Sequence, residues 1–381
     1  MKYIAKRFQN KQTSLSLDTK ALAAYPNLID LSIGDTDFIT DQRVIDAAFA
    51  DASAGATRYG RPQGDPELIA TIAKAWQEDY NQVIPQEEIL ITASSCLGMS
   101  LALMATLNPD DEIIVFGPYF SLYRQQIEMS GGKCVEVITE QENGYDVEEA
   151  KLRYKITNKT RGIIINNPTN PTGIVYSKET LEMLVKIAQE YDLIIYADEI
   201  YTSYLFDGKF IPIRTLEGAK ERTITFNSFS KNFMMTGWRV GCIIAPQEIV
   251  NAISYVNGAM IYTAPSISQR AAIKALLLRE EIAKMYISQY KERVKYMSDR
   301  IESIPYFSLV RPKGTFYLFP SIKATRLTDK DFCQLALKEA QVLVTPGSAF
   351  GMAGEGHIRI ACTAKMEQLE IGMDRMAKLR V

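Results

Sequence analysis

The sequence predicts an α/β protein. A large domain carries a mainly parallel seven-stranded sheet covered by helices, and a smaller α+β domain is built from the N-terminal segment and the C-terminal part. Three observations predict this. Seven short apolar runs recur between residues 88 and 245, stretches of helical period lie between several of them, and the pattern changes after Ala245.

The runs are Glu88–Thr92, Glu112–Phe116, Lys133–Ile138, Arg161–Asn166, Leu193–Ala197, Arg222–Asn227 and Val240–Ala245. Most carry Ile and Val at successive positions, as strands covered on both faces do. Between the fourth and fifth runs, Leu181, Leu184, Val185 and Ala188 share one helix face, and Ser177 with Thr180 gives that helix a polar start. Strands alternating with helices imply parallel pairing. Beyond Ala245 a long helical region, about residues 267–303, leaves the sheet. Strands are expected near Phe307–Val310, Thr315–Phe319 and His357–Ala361, with helices near Lys330–Ala340 and Lys365–Lys378. The first 40 or so residues have no place in the seven-run series and are expected to pack with that tail. The expected division is therefore 1–44 as an N-terminal segment, 45–280 as the large domain and 281–381 as the small one.

Bulk properties narrow the function. The 381 residues hold 43 basic and 45 acidic side chains with no block of like charge. Neither nucleic acid nor a membrane surface is indicated, and a small molecule is the expected partner. No apolar stretch approaches the roughly 18 residues of a membrane span, and Met1–Arg7 opens no secretion signal, so a cytoplasmic protein is expected. The five cysteines (Cys96, Cys134, Cys242, Cys333, Cys362) are scattered without a C-x-x-C pair. They read as buried thiols in a reducing compartment, with no metal site. The one histidine, His357, would have to serve any Ser-His-Asp triad or H-E-x-x-H site, and no nucleophile motif accompanies it. It is expected to pack on a strand. Acid–base chemistry then falls to lysine, tyrosine, carboxylates or a cofactor.

The chemistry gathers where runs end, the place where open parallel sheets collect ligands. Ser228-Phe229-Ser230-Lys231 closes the sixth run, and Arg239 follows eight residues after Lys231. An amine among hydroxyls and a guanidinium suits a ligand bearing both an aldehyde and a phosphate, and pyridoxal 5'-phosphate carries both. Asn167-Pro168-Thr169-Asn170-Pro171 follows the fourth run; two prolines exclude a central strand and make a rigid loop that holds Asn170. Asp198 ends the fifth run, with Tyr201 one helical turn on. Thr92-Ala93-Ser94-Ser95-Cys96 follows the first run and opens an apolar helix whose free N–H groups would face an anion.

These positions, in this order, resemble the fold-type I pyridoxal-phosphate enzymes, and among them the class I and II aminotransferases. The resemblance runs from Leu31-Ser32-Ile33-Gly34 through Tyr59-Gly60 with Gly64, Pro118-Tyr119-Phe120 with Tyr123, and the Asn-Pro loop, to Arg359. It implies that Lys231 is the Schiff-base lysine and that Asp198 partners the pyridine nitrogen. Tyr201 and Asn170 would donate to the ring's phenolic oxygen. Arg239, Ser228, Ser95 and Cys96 would hold the phosphate, and Phe120 would stack on the ring. Tyr59 would reach a neighbour's phosphate across the interface of a homodimer with a shared active site. Arg359, with Gly34 and Asn170, would bind the substrate carboxylate; a planar fork on a strand between apolar neighbours suits that task. The implied reaction moves an amino group from an L-amino acid to a 2-oxo acid by a ping-pong mechanism. Roughly one amine in 2,500 of an ordinary lysine is neutral at pH 7, so Lys231 needs burial or nearby positive charge to act.

Some similar bacterial aspartate aminotransferases carry a lysine where this chain has Cys96, and glycines where it has Ser94-Ser95. The difference points away from aspartate, and Tyr119, Phe120, Tyr123 and Tyr262 suit aromatic or apolar side chains. A carbon–sulfur β-lyase on the same fold is the alternative, using the same lysine and aspartate. A nicotinamide-dependent oxidoreductase would need G-x-G-x-x-G after the first strand, and none is present.

Overall fold

The computed structural model describes residues 24–381 together with Tyr3, Ala5 and Phe8. The rest of the 1–44 segment lies outside the described residues. Twelve strands are described: β1 (Ile29–Asp30), β2 (Ile89–Thr92), β3 (Glu112–Gly117), β4 (Lys133–Ile138), β5 (Thr160–Asn166), β6 (Ile194–Asp198), β7 (Thr223–Ser228), β8 (Gly241–Ile244), β9 (Tyr317–Leu318), β10 (Val342–Leu343), β11 (Thr345–Pro346) and β12 (Ile358–Ala361). Each of the seven apolar runs becomes a strand, within one residue at either end.

Those seven form one sheet in the order β2-β8-β7-β6-β5-β3-β4. Strand β8 runs antiparallel to both neighbours, and the remaining pairings are parallel. Successive residues of one strand enter different cores. Ile163 and Ile165 pack with Leu184 and Ile187 of helix Lys178–Glu190. Ile164 packs on the other face, with Tyr196, Phe226 and Leu103 of helix Ser95–Thr106. Each such side chain taken from water contributes about 1.5–3 kcal/mol, which is why these strands lack polar alternation. Ser177 caps helix Lys178–Glu190, its Oγ accepting from the Thr180 N–H at 3.1 Å.

The tail departs more from expectation. Its small antiparallel sheet is β11-β12-β9, and β1 pairs parallel with β10. The expected strand at Phe307–Val310 is reduced to one bridge, Ser308 to Ser321. The expected strand at Thr315–Phe319 shrinks to β9, because Thr315 takes φ 61 and Pro320 has no N–H to continue a ladder. The helix expected near Lys330–Ala340 is α-helical over Asp329–Leu335 and widens to a π turn over Ala336–Ala340.

His357 packs as expected, with its ring stacked on Phe319 at 5.1 Å. Burial of all five cysteines is corrected: Cys242 and Cys362 are buried, Cys134 and Cys333 half-buried, and Cys96 exposed because it lies in the first turn of its helix. Among the described residues, no helix is long and apolar enough to cross a membrane.

Candidate active site

Three neighbouring parallel strands, β5, β6 and β7, end at one edge, where Asn166 pairs with Asp198, Asp198 pairs with Phe226, and β7 runs two residues further to Ser228. Asn166 then organises the Asn-Pro loop. Its Nδ2 donates to the Asp198 carbonyl at 3.0 Å, and its Oδ1 accepts from the Asn170 N–H at 2.7 Å. Ser228 caps the four-residue helix Phe229–Asn232, its Oγ accepting from Ser230 N–H at 3.1 Å. That turn aims Lys231 inward, where its Nζ donates to the Gly34 carbonyl and lies 5.7 Å from the Phe316 ring centre.

Asp198 is 7% exposed. Its Oδ2 accepts from the Tyr123 hydroxyl, and its Oδ1 is buried with no hydrogen-bond partner. Burial pushes the carboxyl up to about 6, against the lowering effect of Tyr123. The site thus holds a carboxylate that lacks a cationic donor. Tyr201 is buried too, and its hydroxyl donates to that of Tyr317 at 3.3 Å. Burial, with Tyr317 beside it, holds the Tyr201 phenol well above its ordinary range.

Arg359 stands 8% exposed on β12 between the fully buried Ile358 and Ile360. Its guanidinium lies 4.5 Å from the Tyr317 ring centre and 4.7 Å from that of Phe350. Nη1 donates to Asn170 Oδ1 at 3.1 Å and Nη2 to the Ser32 carbonyl at 2.6 Å, while the buried Nε has no acceptor. Asn170 Oδ1 is therefore taken, and the Nδ2 end of that amide is the one that can donate elsewhere. Gly34 is demanded by its neighbour: a Cβ there would lie 1.7 Å from the Tyr317 hydroxyl oxygen.

Two turns here are strained. Ser94 has φ 98 and Arg239 has φ 53, both in the region that favours glycine, at a cost of about 1–3 kcal/mol each. Ser94 Oγ caps the following helix by accepting from Leu97 N–H at 3.2 Å. Arg239 is exposed, donates to the Thr236 carbonyl at 2.7 Å, and lies within electrostatic reach of Cys96, as does Asp198. Strand β8 comes close here, since a Cβ on Gly241 would sit 2.7 Å from the Ser95 nitrogen. Phe120 meets Tyr123 edge-on at 5.5 Å. Tyr59 stands apart, 86% exposed, with its ring edge-on to Tyr262.

The model of the family aminotransferase class I and II matches residues 26–376. The chain belongs to that family. An aspartate aminotransferase of Pyrococcus abyssi is 39% identical over 363 residues, 94% of this chain and 92% of that protein. An aromatic-amino-acid aminotransferase of Thermococcus litoralis is 38% identical, covering 92% and 91%. The structure of Thermus thermophilus aspartate aminotransferase with maleate superposes with a TM-score of 0.93 at 30% identity over the whole of both chains.

This aminotransferase uses pyridoxal phosphate, as its family does. The residues present fit that group. The unpartnered Asp198 Oδ1 lacks the proton donor that a pyridinium nitrogen would supply, and the start of helix Ser95–Thr106, with the exposed Arg239 in electrostatic reach of Cys96, would suit a phosphate. Sequence reasoning missed what Tyr123, Ser32, Tyr317 and Phe350 do in the aminotransferase site. Tyr123 stood out as part of the family resemblance and as an aromatic residue, and nothing in its spacing shows that its hydroxyl reaches Asp198.

Glu199 was also missed. It is 1% exposed, its Oε1 accepts from Ile213 N–H at 2.8 Å, and its Oε2 is buried without a partner. Burial, reinforced by the adjacent Asp198, pushes it up to about 8. A carboxyl raised on folding holds its proton in the folded chain while the unfolded chain releases it, so stability falls as pH rises. For Glu199 the window runs from about 4.5 to about 8. Glu199→Gln keeps an acceptor for Ile213 and is expected to raise the Tm of the cofactor-free aminotransferase at pH 8.5 but not at pH 4.5. Calorimetry across that range checks it, and the pH 8.5 gain should be on the order of a few kcal/mol.

Proposed function

We propose that this aminotransferase takes the amino group of an aromatic or other large apolar L-amino acid and passes it to a 2-oxo acid, with one site serving both half-reactions in turn. The observation that carries the reading is a continuous chain of contacts. Lys231 meets Gly34, Gly34 lies against Tyr317, and Tyr317 bears on both Tyr201 and Arg359. Arg359 meets Asn170, whose loop is tied to Asp198.

Pyridoxal phosphate, when bound, supplies the electron sink that makes a substrate Cα proton removable and carries the nitrogen between half-reactions. Lys231 Nζ would anchor its aldehyde carbon at rest and, as a free amine, would take the proton from the substrate Cα. Asp198 Oδ1 would hold a proton on the ring nitrogen, and Tyr123 orients that carboxylate. Tyr201 and Asn170 Nδ2 would donate to the phenolic oxygen. Ser95, Cys96, Ser228 and Arg239 would hold the phosphate, and Phe120 would cover the ring. Arg359 offers its unsatisfied Nε–H to the substrate α-carboxylate, beside Gly34. Cys96, in the first turn of its helix, brings no cation for a second carboxylate, and Phe120 favours an apolar side chain, as Tyr262 would if it reached the site from a neighbouring subunit. Relatives named for aspartate and for aromatic amino acids bracket this choice.

The active form is a homodimer in this reading. Tyr59, Tyr255, Met260, Ile261 and Tyr262 leave apolar surface exposed together with the ring pair Tyr59–Tyr262, which supports Tyr59 reaching a neighbour's phosphate. The free cysteines suit a reducing cytoplasm.

A panel of L-amino acids with the loaded enzyme, read by cofactor absorbance in single half-reactions, tests the reading. Aromatic donors should react fastest, and each should yield one equivalent of 2-oxo acid until an acceptor is added. Aspartate outpacing every aromatic donor would remove the substrate preference. Continuous release of ammonia and pyruvate without acceptor would mark a lyase instead. Arg359→Lys should raise KM for donor and acceptor alike, roughly 10–100-fold, because a point charge cannot replace the fork.

A further inference from the structure

We propose that Tyr317 is a positioning residue with two separable tasks: its ring fixes Arg359, and its hydroxyl polarises Tyr201. The inference rests on the proposed roles of Arg359 and Tyr201. It adds a residue that joins them.

Tyr317 occupies a point where three distant parts of the chain meet. It lies on β9, 2% exposed, with Leu318 and Tyr317 paired to Ile360 and Ala361 of β12. Its ring stands 4.5 Å from the Arg359 guanidinium carbon, and Phe350 offers a second ring at 4.7 Å. The hydroxyl lies 3.3 Å from that of Tyr201 and fills the space a side chain at residue 34 would need. Gly34 in turn accepts from Lys231. One side chain therefore borders the carboxylate-binding arginine, the phenol beside the cofactor ring and the segment that receives the lysine.

The two tasks follow from different chemistry. A guanidinium over an aromatic face is held by the ring's quadrupole, and this is independent of the hydroxyl. The hydroxyl matters through proton direction. A tyrosine has one O–H proton, and each phenol oxygen both donates and accepts. The pair runs from Tyr201 to Tyr317 in this structure; for Tyr201 to donate to the phenolic oxygen of the cofactor instead, it must reverse and run from Tyr317 to Tyr201. A hydrogen bond received by Tyr201 makes it a stronger donor. A stronger donor favours the ionised phenolic oxygen and lowers the pH at which the bound cofactor titrates.

Tyr317→Phe and Tyr317→Leu separate the tasks. Tyr317→Phe keeps the ring and should shift the absorbance titration of the bound cofactor to higher pH by about half a unit or more, with KM for the donor changed less than twofold. Tyr317→Leu removes the ring as well and should raise that KM about tenfold. If Tyr317→Leu fails to fold, Phe350→Leu removes the other ring against Arg359 and should raise KM without the spectral shift. The proposal is overturned if Tyr317→Phe leaves the titration in place, or raises KM as much as Tyr317→Leu does. A wild-type enzyme that shows no pH-dependent cofactor band, or no reaction with any amino acid, would instead remove the underlying reading of the site.

Discussion

Lys231→Ala is expected to lower the rate of amino transfer by at least about 10⁴-fold. It should also erase the pH-dependent absorbance of the resting holoenzyme. Both losses follow from one nitrogen doing two jobs, anchoring the cofactor and moving the Cα proton. No second amine is placed to substitute among the contacts described: the Lys231 Nζ reaches Gly34 and the Phe316 face, and the neighbouring cation Arg359 is committed to Asn170 and Ser32. Single-turnover mixing with a saturating donor checks this, since it isolates the half-reaction from product release. The variant should still fold, because Lys231 is only half-buried and helix Phe229–Asn232 is capped by Ser228.

Asp198→Asn should move activity and stability in opposite directions. Without the carboxylate the ring nitrogen loses its proton-holding partner, and kcat should fall roughly 10²–10⁴-fold. The cofactor-free protein should gain stability. Burial raises the Asp198 carboxyl from 3.8 to about 6, so the folded chain carries a cost that grows as pH rises through that window and is complete above it. At pH 8 the gain from asparagine is on the order of 2–3 kcal/mol, and at pH 3.5 it should vanish. Tyr123 keeps an acceptor in the variant, so the comparison isolates the charge. Loading the cofactor should cancel the difference, because the wild-type carboxylate then has its cation. Calorimetry with and without cofactor at the two pH values reads all four cases.

The seven runs were legible because both faces of the large sheet are apolar, so Ile163, Ile164 and Ile165 mark a strand whichever core each one enters. The tail was harder. Strand β9 has two residues, and Phe307–Val310 keeps its apolar character while contributing a single bridge. Apolar composition there reports burial, not pairing. At the site, residues at strand ends announced themselves: Asp198, the Asn-Pro loop and Ser228 through Lys231 all sit where polar residues interrupt apolar runs. The supporting residues did not. Tyr317 and Phe350 look like ordinary core aromatics, and their contact with Arg359 depends on β9, β12 and the turn Gly347–Phe350 meeting in space. Glu199 follows Asp198 in sequence and reads as another acid, yet it is buried with an unpartnered oxygen.

The central claim is that the amine of Lys231 forms the covalent attachment to pyridoxal phosphate. Reducing the holoenzyme with borohydride, digesting it and mapping the tagged peptide tests this directly. The pyridoxyl group should appear on Lys231, within the peptide containing Ser228-Phe229-Ser230-Lys231. A tag on any other lysine, or a fully reconstituted enzyme that yields none, contradicts the account.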